Sequence, residues 1–113
     1  MPSPFEVTIE ERGGRAHVAL RGELDISTAT KLEEDLERIE APGPPLLVID
    51  LSGLDFMDST GLRLLIGADA RARAQGRRLV LVQGNEMVQR VLRLTRLDER
   101  LEIVEDPGAL ASA

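Results

Sequence analysis

Residues 46–65 read LLVIDLSGLDFMDSTGLRLL. The first six, Leu46 to Leu51, are a near-continuous apolar run, which fits a strand covered on both faces or tightly flanked in a sheet. From about Ser59 to Gln75 the period changes. Leu65, Ala68 and Ala72 fall on one narrow stripe, Arg63, Gly67 and Arg71 share another face, and Gly76 is a natural helix stop. A buried strand therefore feeds a helix through Asp58-Ser59-Thr60-Gly61, the first half of a strand-helix-strand return.

The flanking sequence supplies the rest of such a fold. Upstream, FEVTIEE alternates, predicting a half-buried strand with Phe5, Val7 and Ile9 inward. Gly13-Gly14 predicts a hairpin turn, and RAHVALRG a second strand with Val18 and Leu20 inward. Ala29, Leu32, Leu36 and Ile39 then recur at helical spacing, with Ser27 as the expected N-cap, although Thr30 occupies the place of the capping-box acid. APGPP at 41–45 ends that helix. Downstream, RRLVLVQ predicts a buried strand, NEMVQRVLRLT a helix capped by Asn85, LEIVE a short last strand, and DPGALASA a helical turn or frayed end. The order β-β-α-β-α-β-α-β predicts one α/β domain over residues 1–113: a small mixed sheet, with an N-terminal antiparallel hairpin and then parallel strands joined by right-handed helical returns.

Composition excludes several classes of function. The chain has 113 residues, no cysteine and one histidine, which leaves no disulfide, thiolate or His-rich metal site. His17 is a lone histidine pointing out of its strand and is expected to be inert; no cofactor or metal is expected. A net charge of −6 and only two aromatic residues argue against direct nucleic-acid binding. No apolar run approaches the roughly 20 residues that span a bilayer, and MPSPFEV lacks the regions of a secretory signal, so the expectation is a cytoplasmic protein without membrane insertion. Charge is uneven: KLEEDLERIE is acidic, whereas Arg71 to Arg100 is rich in arginine. Solvated helix faces account for this, and so does a surface that steers a protein partner.

Asp58-Ser59-Thr60 can carry three kinds of chemistry. As a nucleophile, Ser59 lacks a G-x-S-x-G frame and a nearby base. As a phosphate cradle, the helix start offers free N–H groups but neither glycine-rich nucleotide motif, which leaves only weak nucleotide binding. As a modification site, Ser59 or Thr60 would place a phosphate of roughly −1.5 to −2 charge at the positive end of a helix dipole, where the fold tolerates it. Against all three stands simple capping by Asp58, the most economical reading of the local chemistry.

GELDISTA at 22–29, followed at this separation by LLVIDLSGLDFMDSTGLRLL, resembles the STAS domain family, specifically the bacterial anti-sigma factor antagonists. The resemblance covers nearly the whole chain. It implies a mixed sheet with helices mainly on one face. It also implies a binding module, not an enzyme, that takes part in transcription regulation by partner switching. The implied partner is an anti-sigma factor that is itself a serine kinase using Mg-ATP, and binding it frees a sigma factor. Phosphorylation of the serine after the motif aspartate, Ser59 here, breaks the complex, and a PP2C-type phosphatase resets it. Asp25 matches a family position beside that serine. Ser59-Thr60 stands where many members have two serines, which makes Thr60 a secondary acceptor. The expected docking patch is Asp25, Ile26, Ser27, Asp58, Ser59, Thr60, Arg63 and Gly67. The alternative is a constitutive adaptor subunit of a transport or stress-signalling complex, with Ser59 only a neighbour of the cap.

Overall fold

The computed structural model describes residues 4–110. Its elements run β1 (Glu6–Arg12), β2 (Arg15–Leu24), α1 (Ala29–Glu40), β3 (Leu46–Met57), α2 (Ser59–Ala74), β4 (Arg78–Val82), α3 (Glu86–Leu94) and β5 (Glu102–Val104), with short 3-10 turns at Leu97–Glu99 and Pro107–Leu110. The last three residues of the DPGALASA segment lie outside the described residues.

The five strands stand in the sheet in the order β1-β2-β3-β4-β5. β1 and β2 are antiparallel, turning at Gly13 and Gly14, both at positive φ, and every later pair is parallel. The three helical returns all run in one direction along the sheet, and all three helices pack into one core. There Val18, Leu20, Ile49, Leu51 and Leu81 from the strands meet Leu32 and Leu36 of α1, Leu65 and Ala68 of α2, and Val88 and Leu92 of α3 in one core. Each fully buried leucine or valine in it contributes roughly 1.5–3 kcal/mol. Leu46, Val48, Val80 and Val82 form a smaller cluster on the other face.

Three sequence expectations are corrected. Ile9 is exposed: Phe5 and Val7 reach the core, but the edge strand β1 carries Ile9 away from it. The strand starting at Leu46 does not end at Leu51 but runs to Met57. Two bulges, between the pairs Ala19↔Asp50 and Arg21↔Gly53 and between Gly22↔Leu54 and Glu23↔Phe56, each add one residue to β3. The inward residues are then Leu47, Ile49, Leu51, Leu54 and Met57, with the spacing stretched from two to three where a residue is added. Finally, Ser27 does not cap α1. The N-cap position is Thr28, and its side chain makes no capping bond.

Candidate functional site

The bulged ends of β2 and β3 finish together. Leu24 pairs with Met57, and the next backbone N–H, that of Asp58, donates to the Leu24 carbonyl at 3.2 Å. Two aspartates, Asp25 and Asp58, therefore leave the sheet side by side, each opening a strand-to-helix junction at the C-terminal edge of the parallel strands. Gly61 holds the second junction down. A Cβ there would stand 2.7 Å from Leu24 Cγ and 2.9 Å from Met57 Cγ, so only glycine lets the first turn of α2 sit on the paired strand ends.

At the second junction Asp58 is the N-cap. Its Oδ1 accepts from the backbone N–H of Thr60 at 2.9 Å and of Gly61 at 3.2 Å, satisfying two of the free donors of a helix start. Ser59 is exposed and Thr60 half-buried. The Ser59 hydroxyl takes no part in the cap, which belongs wholly to Asp58.

At the first junction the same residue types are wired differently. Asp25 Oδ1 accepts from the Ser27 hydroxyl at 2.6 Å, the Ser27 N–H at 2.9 Å and the Thr28 N–H at 3.2 Å. The Thr28 hydroxyl donates to the Glu23 carbonyl at 2.8 Å and accepts from the Asp25 N–H at 3.0 Å. The Ser27 hydroxyl does most to hold the Asp25 carboxyl below its usual value; desolvation opposes it, and the Ser27 and Thr28 N–H groups add smaller lowering effects. Asp25 is thus the organiser of an Asx turn. The turn displays Ile26, a large apolar side chain left 79% exposed.

Of the expected patch, pairing of the strand ends brings Asp25, Ile26 and Ser27 beside Asp58, Ser59 and Thr60. Arg63 and Gly67 follow down α2, where they line a cleft against Glu33, Leu36 and Glu37 of α1. Sequence reasoning missed three residues at this end, Thr28, Phe56 and Met87, and for the expected cap Asn85 it missed a second bond. Thr28 locks the first junction. Asn85 caps α3 through the Val88 N–H at 2.9 Å and also donates to the Leu54 carbonyl at 3.2 Å, tying the start of α3 to β3. Phe56 and Met87 are large apolar side chains left exposed on the end of β3 and the first turn of α3. Only Phe56 had a signal, as the outward neighbour of the inward Met57. Among the described residues no group of three or more acidic, histidine or cysteine side chains is placed to hold a metal, and no helix is long and apolar enough to cross a membrane.

The geometry defines a class: a mixed α/β domain whose exposed chemistry is a helix-start serine beside an ordered acidic turn. The STAS domain model matches residues 6–109, and the chain belongs to that family. The anti-sigma-F factor antagonist RsfB of Mycobacterium tuberculosis is 32% identical over 102 residues, covering 90% of this chain and 83% of the relative. The anti-sigma-B factor antagonist of Listeria monocytogenes is 32% identical over 107 residues, 94% of each chain. A crystal structure of an anti-sigma factor antagonist from Mycobacterium paratuberculosis superimposes with a TM-score of 0.83 at 28% identity, covering 96% of this chain and 92% of that one.

Proposed function

We propose that this chain is an anti-sigma factor antagonist: it binds an anti-sigma factor, releases the sigma factor that partner holds, and is switched off by phosphorylation of Ser59. The observation that carries the reading is the exposed Ser59 hydroxyl, left out of a cap that Asp58 completes alone. A kinase can take this oxygen without dismantling the helix start. Relatives named as anti-sigma factor antagonists, matched along most of both chains, support the choice of partner.

The physical logic of the switch follows from its position. Phosphate at the first residue of α2 meets the positive end of the helix dipole, so the fold keeps its stability. A partner that packs on the unmodified patch must instead desolvate a doubly charged group where it met a small hydroxyl, and without a waiting counter-charge that is unfavourable. A loss of roughly 3 kcal/mol lowers affinity more than a hundredfold. The partner is itself the serine kinase, using Mg-ATP, and a PP2C-type phosphatase restores the hydroxyl. The chain acts as a binding module and performs no chemistry of its own. Asp25, Ile26 and Ser27 form one half of the patch, with Asp58, Ser59, Thr60, Arg63 and Gly67 as the other.

The test is incubation with the cognate anti-sigma kinase and Mg-ATP followed by mass spectrometry. One phosphate on Ser59, abolished in Ser59→Ala, is the expected result. A phosphate only on Thr60, or none, contradicts the assignment.

A further inference from the structure

α2 contains two interior glycines that are glycine for different reasons. Gly61 is required from within the molecule, because a Cβ would collide with Leu24 and Met57. Gly67 is not. Its φ is not positive, and a Cβ there would meet only Nη1 of Arg71, at 3.2 Å. That atom is not one of the two nitrogens that bind Glu40, which are Nε at 2.7 Å and Nη2 at 2.9 Å. A shift of a few tenths of an ångström would make room. Glycine in mid-helix is nonetheless among the least favourable residues for helix stability. Nothing around Gly67 inside the fold calls for glycine.

Gly67 opens onto a cleft of about 260 Å³ between α1 and α2, lined also by Glu33, Leu36, Glu37, Arg63, Leu64 and Arg71. Arg71, on its wall, is held by a two-point bond to Glu40. The two walls are opposite in charge. Glu33 and Glu37 stand on α1 and Arg63 on α2; both glutamates attract Arg71 across the cleft, but among the described residues none of the three is within ion-pair distance of an opposite charge. The backbone groups of both walls are engaged within their own helices, so nothing is left for an added strand to pair with. An occupant must satisfy its own backbone, as a helix does. A glycine on the wall lets such a helix approach to the short end of the usual interaxial range.

We infer that the Ser59 patch extends through Arg63 and Gly67 across the α1–α2 cleft to Glu33 and Glu37 of α1, and that the occupant of this cleft is a helix of the anti-sigma factor. That helix presents a small residue over Gly67, an acidic side chain to Arg63 and a basic one to Glu33 and Glu37. This inference rests on the function proposed above and adds that the partner reads the helix face as well as the helix start. Part of its hold then lies outside the reach of a phosphate on Ser59.

The experiment is titration calorimetry of the anti-sigma factor with the wild-type chain, its Ser59-phosphorylated form, Gly67→Ala and Glu37→Lys, beside thermal melts of each. Gly67→Ala should melt at the same temperature or a few degrees higher while binding at least tenfold more weakly. Glu37→Lys, far from Ser59, should also bind several-fold more weakly with its melt unchanged. Binding of both variants within twofold of wild type, with wild type still sensitive to phosphorylation, overturns the cleft and leaves the switch intact. A lower melt for Gly67→Ala also overturns it, because glycine would then serve the fold. A wild-type chain that fails to bind overturns the proposed function, and the cleft with it.

Discussion

The two junctions at the end of the sheet are built from nearly the same letters. One is Leu24-Asp25-Ile26-Ser27-Thr28, the other Met57-Asp58-Ser59-Thr60. In both, an aspartate leaves a strand and gathers the donors that follow it. At the first, the aspartate also captures the serine hydroxyl, at 2.6 Å, and the threonine is bonded to the strand behind it. At the second, the aspartate takes only backbone donors and leaves the serine to solvent. The inserted Ile26 makes the difference, because it moves the serine to the second place after the aspartate, where an Asx turn folds it back onto the carboxylate. Identity and exposure therefore do not distinguish a structural serine from a modifiable one. What distinguishes them is whether the hydroxyl is already engaged.

The largest expected effect attacks what the junctions share. Gly61→Ala forces a methyl group against Leu24 and Met57, the residues that end both strands, and should cost about 1–3 kcal/mol or more. Thermal denaturation reads this directly, and a wild-type melt would mean the two junctions are not clamped together at Gly61. Next is the second cap. Asp58→Ala leaves the Thr60 and Gly61 N–H groups without their acceptor and should cost about 1–2 kcal/mol, whereas Ser59→Ala should cost well under about 1 kcal/mol. Should the two variants melt alike, the division of labour between Asp58 and Ser59 is wrong.

A smaller effect separates the junctions by pH. The Asp25 carboxyl is held below its ordinary value chiefly by the Ser27 hydroxyl. A carboxyl depressed in the folded state stabilises the fold above its unfolded value, and that contribution fades as the pH falls through the lower, folded value. Ser27→Ala removes the main cause, so the Asp25 titration midpoint should move up toward the ordinary value. A carbon-detected NMR titration of the Asp25 carboxyl reads the shift, and an unmoved midpoint would show that the backbone donors alone set it.

Much of this arrangement is legible in the sequence, and the failures have physical reasons. The near-continuous run at Leu46 to Leu51, the glycine at Gly76 and the cap at Asn85 each follow from a single local rule, and the structure agrees with all three. The strand beyond Leu51 was hidden because a period of two does not survive two bulges. Ser52, Gly53, Asp55 and Phe56 break the alternation, although the residues at 54 and 57 still face the core. Ser27 looked like a cap because it is a serine just ahead of an apolar stripe. Its hydroxyl was already claimed by an aspartate two residues back, a competition between neighbours that a residue-by-residue rule does not weigh. The adjacency of Asp25 to Asp58 depends on the pairing of Leu24 with Met57, a long-range register that no local pattern encodes.

The central claim is that a phosphate on Ser59 changes binding and not folding. The most direct measurement is titration calorimetry of the anti-sigma factor with the unmodified chain and with the chain phosphorylated on Ser59, both confirmed folded by their melts. The account predicts similar melting temperatures and at least a hundredfold weaker binding for the phosphorylated form. Equal affinities for the two forms would contradict it and leave a constitutive adaptor in its place.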